Sequence, residues 1–561
     1  MLPNTLAASL LIAICLSTNA QKVVAPPQLD ILRAMRQAND SLTGQIPGNP
    51  IYYEGLMALY SIDPQKRYFD FVVNHKEPAP KPDQINDTSG LLAAVAQNLS
   101  IRKLSDPLRP TLVKTYTDLI QGIIPSQGSD GYWNNGDLAK TALITYGIAW
   151  GIREGYLDKK QYLGAITKSW NAITATWPRH FEPYELGCFL LAGSELYQIA
   201  TPPEQIRDES RVPPYKETPI PLTTLDNWET VQRPAIYQLF EDIVYGRMPE
   251  TPIPVTYTTE STDENALNGE AIKRLITIHF DTVASLHLML YLPKKTQKAP
   301  VFVGYSFTPN EVTDTSSQWP IKTIITRGYG VAVAYYWDIE PDRADGWQSG
   351  IRTRLAESLK IEPREWSAMG AWAWGLSRIV DYLETNQKVD SKRLIVIGHS
   401  RLGKAALWAA AGDKRFALVI SNESGEGGAA LSKRDYGETI AIINEKFPWW
   451  FSPAYKQYGA DPSAMPVDQF MLLSLIAPRP LYVASAVGDQ NSDPKGEFLS
   501  ATLATPVYRL YHEKGVGTDS MPHPGQPVGD YIRYHIREGK HDMTLYDWQE
   551  YMNFADTRLK F

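Results

Sequence analysis

Two hydrophobic rhythms divide this chain of 561 residues. From about Pro27 to Ala200, apolar residues recur at three- and four-residue steps, which lines them up on one face of a helix. That spacing predicts helices over Tyr52–Tyr60, Thr88–Ile101, Leu112–Ile124, Thr141–Arg153, Tyr162–Ala175 and Gly187–Tyr197. Gly, Pro or Asn separates them, so they read as helical hairpins. Thr201-Pro202-Pro203, Val212-Pro213-Pro214 and Pro219-Ile220-Pro221 then break the pattern. Proline fixes φ and has no N–H for a ladder, so 201–221 is expected to be a linker. An amphipathic helix over Asp226–Tyr245 follows, and short β-branched runs then alternate with helical ones. The strands expected are Leu275–Phe280, Leu286–Leu292, Val301–Tyr305, Val331–Tyr336, Leu394–Ile397, Leu418–Ser421, Leu481–Ala486 and Tyr508–Tyr511. Such alternation implies a largely parallel sheet covered on both faces, with reactive loops beyond the strand C-termini.

One strand end carries a chemical signal. The run Arg393-Leu394-Ile395-Val396-Ile397 meets Gly398-His399-Ser400 and passes at once into the Ala- and Leu-rich stretch Arg401–Trp408. Strand, sharp Gly-x-Ser corner and helix together make the setting of a nucleophile elbow, with Ser400 as nucleophile. The helix that follows aims unpaired N–H groups and its positive dipole end at charge developing on an attacked carbonyl. The pattern usually places glycine two residues after the serine, whereas here Leu402 stands there and Gly403 follows. A serine needs a base, and the base needs a carboxylate to fix its tautomer. His541 lies in the glycine-containing loop Arg537-Glu538-Gly539-Lys540-His541-Asp542 and is the expected base, while His535 sits in a regular run where a packed, hydrogen-bonded histidine is expected. Asp489 follows the strand ending at Ala486, and Glu423 follows the strand ending at Ser421. Either could orient the imidazole, and the residues alone leave both open.

Composition narrows the setting. The net charge of −7 and a pI near 5.8 exclude a basic nucleic-acid footprint. Leu6–Leu16 is an apolar run followed by Ser17-Thr18-Asn19-Ala20, which reads as an export signal over 1–20 and a secreted or periplasmic protein. No later stretch reaches the ~18 uninterrupted apolar residues of a membrane span. Of two cysteines, Cys15 falls in the signal, so Cys188 has no partner for an internal disulfide.

The C-terminal motifs resemble a known family. Gly398-His399-Ser400-Arg401-Leu402-Gly403-Lys404, Glu423-Ser424-Gly425-Glu426-Gly427-Gly428, Tyr436-Gly437-Glu438-Thr439, Phe447-Pro448-Trp449-Trp450-Phe451, Asp493-Pro494-Lys495-Gly496-Glu497-Phe498 and Gly539-Lys540-His541-Asp542 look like carbohydrate esterase family 15, the glucuronoyl esterases. The resemblance implies an α/β-hydrolase three-layer sandwich over 222–561. It also implies a metal-free serine hydrolase, without cofactor, that cuts esters of (4-O-methyl-)glucuronic acid in lignin–glucuronoxylan material. By position it implies Ser400 as nucleophile, His541 as base, Glu423 or Asp489 as acid, Arg401 in the oxyanion hole, and Lys404 and Glu438 on sugar hydroxyls. Trp449 and Trp450 would offer a stacking plane and a lid. Asn491 stands where the family usually has a tryptophan packed on the sugar. The partner expected is a polysaccharide bearing glucuronic acid, met by a monomer. Two alternatives share this pattern: an acetyl or other acyl esterase on plant polysaccharide, and a carbohydrate-binding protein with a retired site.

The helical part has its own resemblance. Ile51-Tyr52-Tyr53-Glu54-Gly55, Asp130-Gly131-Tyr132-Trp133, Gly151-Ile152-Arg153-Glu154-Gly155-Tyr156-Leu157 and Phe189-Leu190-Leu191-Ala192-Gly193-Ser194-Glu195 resemble glycoside hydrolase families 88 and 105. It spans about six helices of a ring of about twelve, which implies a partial α/α-barrel-like accessory domain over 21–200. The Asp-Asp pair that the family places before its catalytic helix is missing. Tyr52, Tyr53, Tyr132 and Trp133 are expected to be hairpin core rather than a sugar platform.

Overall fold

The structure is a computed structural model and describes residues 26–40, 49–63, 65–74, 88–101, 106–133, 136–175, 181–202, 204–309 and 318–559. The expected export signal over 1–20 lies outside these. The described chain forms two compact units, one from the residues up to Leu59 with Lys76–Thr201, the other from Tyr60–His75 with Pro202–Phe561.

Among the described residues, the regular elements of the first unit are all helices. Its helices are Gln28–Asp40, Pro50–Ile62 up to the unit boundary, Thr88–Ile101, Arg109–Ile123, Leu138–Arg153, Lys159–Ala175 and Pro183–Ile199. Each contains or nearly matches an element expected from periodicity, except Gln28–Asp40, which the pattern did not separate. Leu138–Arg153 and Pro183–Ile199 are buried almost throughout, because small residues at Gly147, Gly151, Gly187 and Gly193 let helices approach closely. A Cβ on Gly55 would come 2.5 Å from the Gly187 carbonyl. Tyr52 and Trp133 are buried, and the Tyr132 hydroxyl donates to the Ala172 carbonyl at 3.0 Å. Those aromatic residues hold the hairpins together.

Among the described residues, the second unit is built on ten strands. They are β1 (Val255–Asn265), β2 (Ala271–Phe280), β3 (Ala284–Pro293), β4 (Ala299–Ser306), β5 (Gly330–Tyr335), β6 (Val389–His399), β7 (Phe416–Asn422), β8 (Leu481–Ala486), β9 (Val528–Gly529) and β10 (Ile532–Arg537). Their order across the sheet is β1-β2-β3-β5-β4-β6-β7-β8-β10-β9. From β5 to β10 every pairing is parallel, and β1, β2, β3 and β9 run antiparallel at the two edges. The helices Ala368–Thr385 and Arg401–Gly412 bury their apolar faces in one core with the inner strand residues, and Leu545–Arg558 belongs to the core on a second set of strand residues. The central strands are buried on both faces, hence their unbroken β-branched runs.

Two expectations change. Tyr508–Tyr511 is no strand: it begins inside the last turn of the helix Pro494–Leu510, whose Ala501, Ala504, Val507 and Tyr508 bury one face at helical spacing. The last parallel strand is instead β10. β1 carries no strand signal in its residues because it is an exposed edge of Thr, Glu and Asp with no apolar alternation. The stretch expected as a linker makes many bonds within this unit. Glu209 pairs with Arg434 and Lys495, the Tyr215 hydroxyl donates to Asp468 at 2.9 Å, and Gly437 N–H donates to the Ile206 carbonyl at 2.7 Å.

Candidate active site

β6 ends at His399, and the chain turns into the helix Arg401–Gly412 through Ser400, whose φ is 58° and ψ −130°. A non-glycine residue in that region is strained and persists only where its surroundings fix it. Here the Ser400 N–H donates to the Asn422 carbonyl at 2.9 Å, and the turn has no room for a side chain at residue 398. A Cβ on Gly398 would run into the Leu402 carbonyl, and one on Gly403 would meet the Gly398 carbonyl and Ser424. Gly403 thus serves the close approach usually made by the residue before it. Gly398→Ala is expected to cost about 3 kcal/mol or more, read as a lowered thermal midpoint; an unchanged midpoint would mean that the corner relaxes freely.

The expected base reaches this corner. The ring centroid of His541 is 4.4 Å from that of His399, the neighbour of Ser400. Both expected acids meet the same imidazole nitrogen: His541 Nδ1 is 2.6 Å from Asp489 Oδ2 and 3.2 Å from Glu423 Oε2. Burial works against a charged His541, but the bonds to Asp489 and Glu423 outweigh it and raise the imidazole to about 9. Burial also works against the charge on Asp489, yet its bond to His541 leaves it below the ordinary range. Glu423 is pushed up to about 7 by burial, with His541 and Arg537 holding it back. His399 is buried, with Nδ1 2.6 Å from Asn422 Oδ1, and since the Asn422 amide donates to the Tyr551 hydroxyl, its oxygen accepts from the ring. Burial and the charge of His541 lower His399 to about 3, so it stays neutral beside the base.

Arg401 points its guanidinium at Asp342, an ion pair in which the carboxylate is nearly inaccessible. The same carboxylate accepts the indole N–H of Trp449 at 2.8 Å and of Trp450 at 2.6 Å, and the Tyr336 hydroxyl at 3.0 Å. The guanidinium carbon lies 4.5 Å from the centre of the Trp450 ring, a cation–π contact. One nitrogen, Arg401 Nε, is buried and has no hydrogen-bond partner among the described residues. Trp450 is not a free stacking plane or lid: it is 3% exposed, stacked on Phe447 at 3.8 Å, and its work is to support Arg401. Trp449 is half-buried. Lys404 is 3% exposed and already gives two of its three N–H groups to the carbonyls of Ser424 and Glu426, pinning the loop after β7. Glu438 is partly exposed, and its N–H donates to the Asn491 carbonyl at 2.9 Å. The Asn491 side chain is exposed, and its oxygen accepts from Gln205 and Arg207, each at 2.7 Å.

Asp342 carries no motif and lies in the loop after β5, so no pattern in the residues marks it as the anchor of Arg401. His399 and Arg537 also take part unannounced, although both adjoin singled-out residues. His535 is fully buried between Tyr482 and Asp547, the packed role expected for it.

Comparison with known proteins gives the same picture. The family model for fungal glucuronyl esterases matches residues 348–511, and that for glycosyl hydrolase family 88 matches residues 89–182. A carbohydrate esterase from an unknown prokaryotic organism is 38% identical over 395 residues, 62% of this chain and 91% of that protein. The solved glucuronoyl esterase from Solibacter usitatus is 43% identical, covers 62% of this chain and 100% of its own, and superposes with a TM-score of 0.59. A promiscuous CE15 esterase from a marine bacterial metagenome is 38% identical, with 63% and 100% covered and a TM-score of 0.58. This chain belongs to carbohydrate esterase family 15, the glucuronoyl esterases.

Proposed function

We propose that this protein is a serine esterase that hydrolyses esters of glucuronic acid, with Ser400 as nucleophile and His541 as base. The observation that carries the reading is one imidazole held through Nδ1 by two buried carboxylates and brought beside a strained serine corner. With Nδ1–H turned to the acids, Nε2 is left to take the Ser400 proton as Oγ attacks the ester carbonyl. The resulting oxyanion is met by the Arg401 backbone N–H at the helix start and by Arg401 Nε–H, the donor left unpartnered. Imidazolium then returns the proton to the departing alcohol, leaving glucuronate esterified to Ser400. Water, deprotonated by the same imidazole, releases glucuronate and restores the hydroxyl. Glu438 and the third N–H of Lys404 are the polar groups proposed for sugar hydroxyls, with Trp449 beside them.

The finer setting is also proposed: export directed by 1–20, a secreted or periplasmic enzyme, glucuronoxylan esterified to lignin alcohols as substrate, and an accessory role for 21–200. Hydrolysis of benzyl glucuronate and of acetyl-xylan by the full chain tests the substrate class. A larger kcat/KM on the glucuronate ester is expected, and the reverse would favour the general acyl esterase, a reading that Asn491 in place of the family's tryptophan keeps open.

The base must be unprotonated to act, so its raised pKa sets a direction. As pH rises from 6, kcat/KM should climb about tenfold per unit and level off towards pH 9, corrected for the spontaneous hydrolysis of the ester. The apparent value belongs to His541 together with its two acids. A profile already flat between pH 6 and 8 would contradict the arrangement.

A further inference from the structure

Arg537 ends β10, four residues before His541, and is buried. Every nitrogen of its guanidinium is engaged. Nε donates to Asp547 Oδ2 at 2.8 Å, Nη1 to the carbonyls of Glu538 and Lys540 at 3.1 and 3.2 Å, and Nη2 to Glu423 Oε1 at 2.6 Å and to the Asp542 carbonyl. Three of these acceptors are carbonyls of the loop that carries His541, and the other two are buried carboxylates. The carboxylates differ in what else they meet. Asp547 also receives the Thr544 N–H and hydroxyl and His535 Nε2, and so caps a helix. Among the described residues Glu423 receives the Asp542 N–H besides Arg537, and its Oε2 faces His541 Nδ1 at 3.2 Å. Glu423 itself stands at φ 46°, a strained corner that fixes where its side chain can point. A carboxylate in such a dry place takes up a proton unless a cation opposes it, and a neutral carboxyl cannot stabilise a charged imidazole.

We propose that Arg537 is a positioning residue of the ester site that acts through Glu423, holding this carboxylate ionised against His541 so that two acids, not one, stabilise the imidazolium. The proposal rests on the reading of Ser400 as nucleophile and His541 as base. Its rival is that the guanidinium merely ties down the loop 538–542, in which case its loss would add to that of Glu423.

A double-mutant cycle in the full chain separates the two, with kcat and KM measured on benzyl glucuronate and thermal midpoints recorded alongside. Arg537→Met and Glu423→Gln should each lower kcat about tenfold with KM within about twofold, and the double variant should lie within about twofold of either. Arg537→Lys, which keeps the charge without the fork, should stay within about threefold of the parent. Losses that multiply to about a hundredfold in the double variant overturn the proposal, as does an Arg537→Met variant with parental kcat. Where Arg537→Met fails to fold, Arg537→Lys replaces it in the cycle, and a loss beyond threefold that persists unchanged with Glu423→Gln overturns the proposal. A parent chain inactive on this ester would remove the underlying reading as well, whereas an active parent with multiplying losses removes the proposal alone.

Discussion

Ser400→Ala is expected to lower kcat on benzyl glucuronate by about 10⁴-fold or more, while the thermal midpoint moves by no more than about 2 °C. The two halves of this expectation have separate causes. The hydroxyl is the atom that forms the acyl bond, and neither His541 nor water can replace it at the corner. The fold, in contrast, invests nothing in the hydroxyl: Ser400 is held through its backbone N–H to Asn422, and the space around Gly398 and Gly403 is unchanged by loss of one oxygen. Alanine at φ 58° suffers the same backbone strain as serine, so the strained corner gains and loses nothing. A purified variant with a tenth of parental activity would remove Ser400 as the nucleophile, whereas a parent chain that hydrolyses no ester would leave a carbohydrate-binding protein with a retired site.

Much of this is legible in the residues alone, for physical reasons. Strands buried on both faces need continuous β-branched runs, and Leu394–Ile397 and Leu481–Ala486 are such runs; the edge strand β1 needs none and stayed hidden. The nucleophile corner announces itself because its sterics demand glycine at fixed offsets, and the departure at Leu402 is explained by Gly403 making the close approach. Long-range pairing is different. Nothing local to Asp342 reveals that it gathers Arg401, Trp449, Trp450 and Tyr336, since three of those partners lie 59 to 108 positions away along the chain. Burial likewise decides roles that residue type leaves open. Trp450, expected as a stacking plane or lid, is enclosed and supports a guanidinium, and Lys404 is buried with two of its three N–H groups on backbone carbonyls, which leaves one for the sugar role.

The two acids at His541 can now be ranked by what each does to the imidazole, and the ranking is testable. Asp489→Asn should lower kcat by about a hundredfold or more, against about tenfold for Glu423→Gln, because the Asp489 oxygen is the nearer at 2.6 Å against 3.2 Å and its bond is the larger of the two influences that raise His541. The pH profile should move with it. Loss of an anion beside the imidazole lowers the pKa of the base, so the rising limb of kcat/KM shifts to lower pH in Asp489→Asn even as the plateau falls. The loss stays short of the about 10⁴-fold seen when a lone triad acid is removed, because Glu423 still faces Nδ1 and still fixes the tautomer. In Asp489→Asn with Glu423→Gln together no carboxylate remains on Nδ1, and activity should fall to the level of Ser400→Ala within about tenfold. A Glu423→Gln loss larger than that of Asp489→Asn would invert the ranking and make the strained Glu423, with Arg537 behind it, the acid on which the base depends.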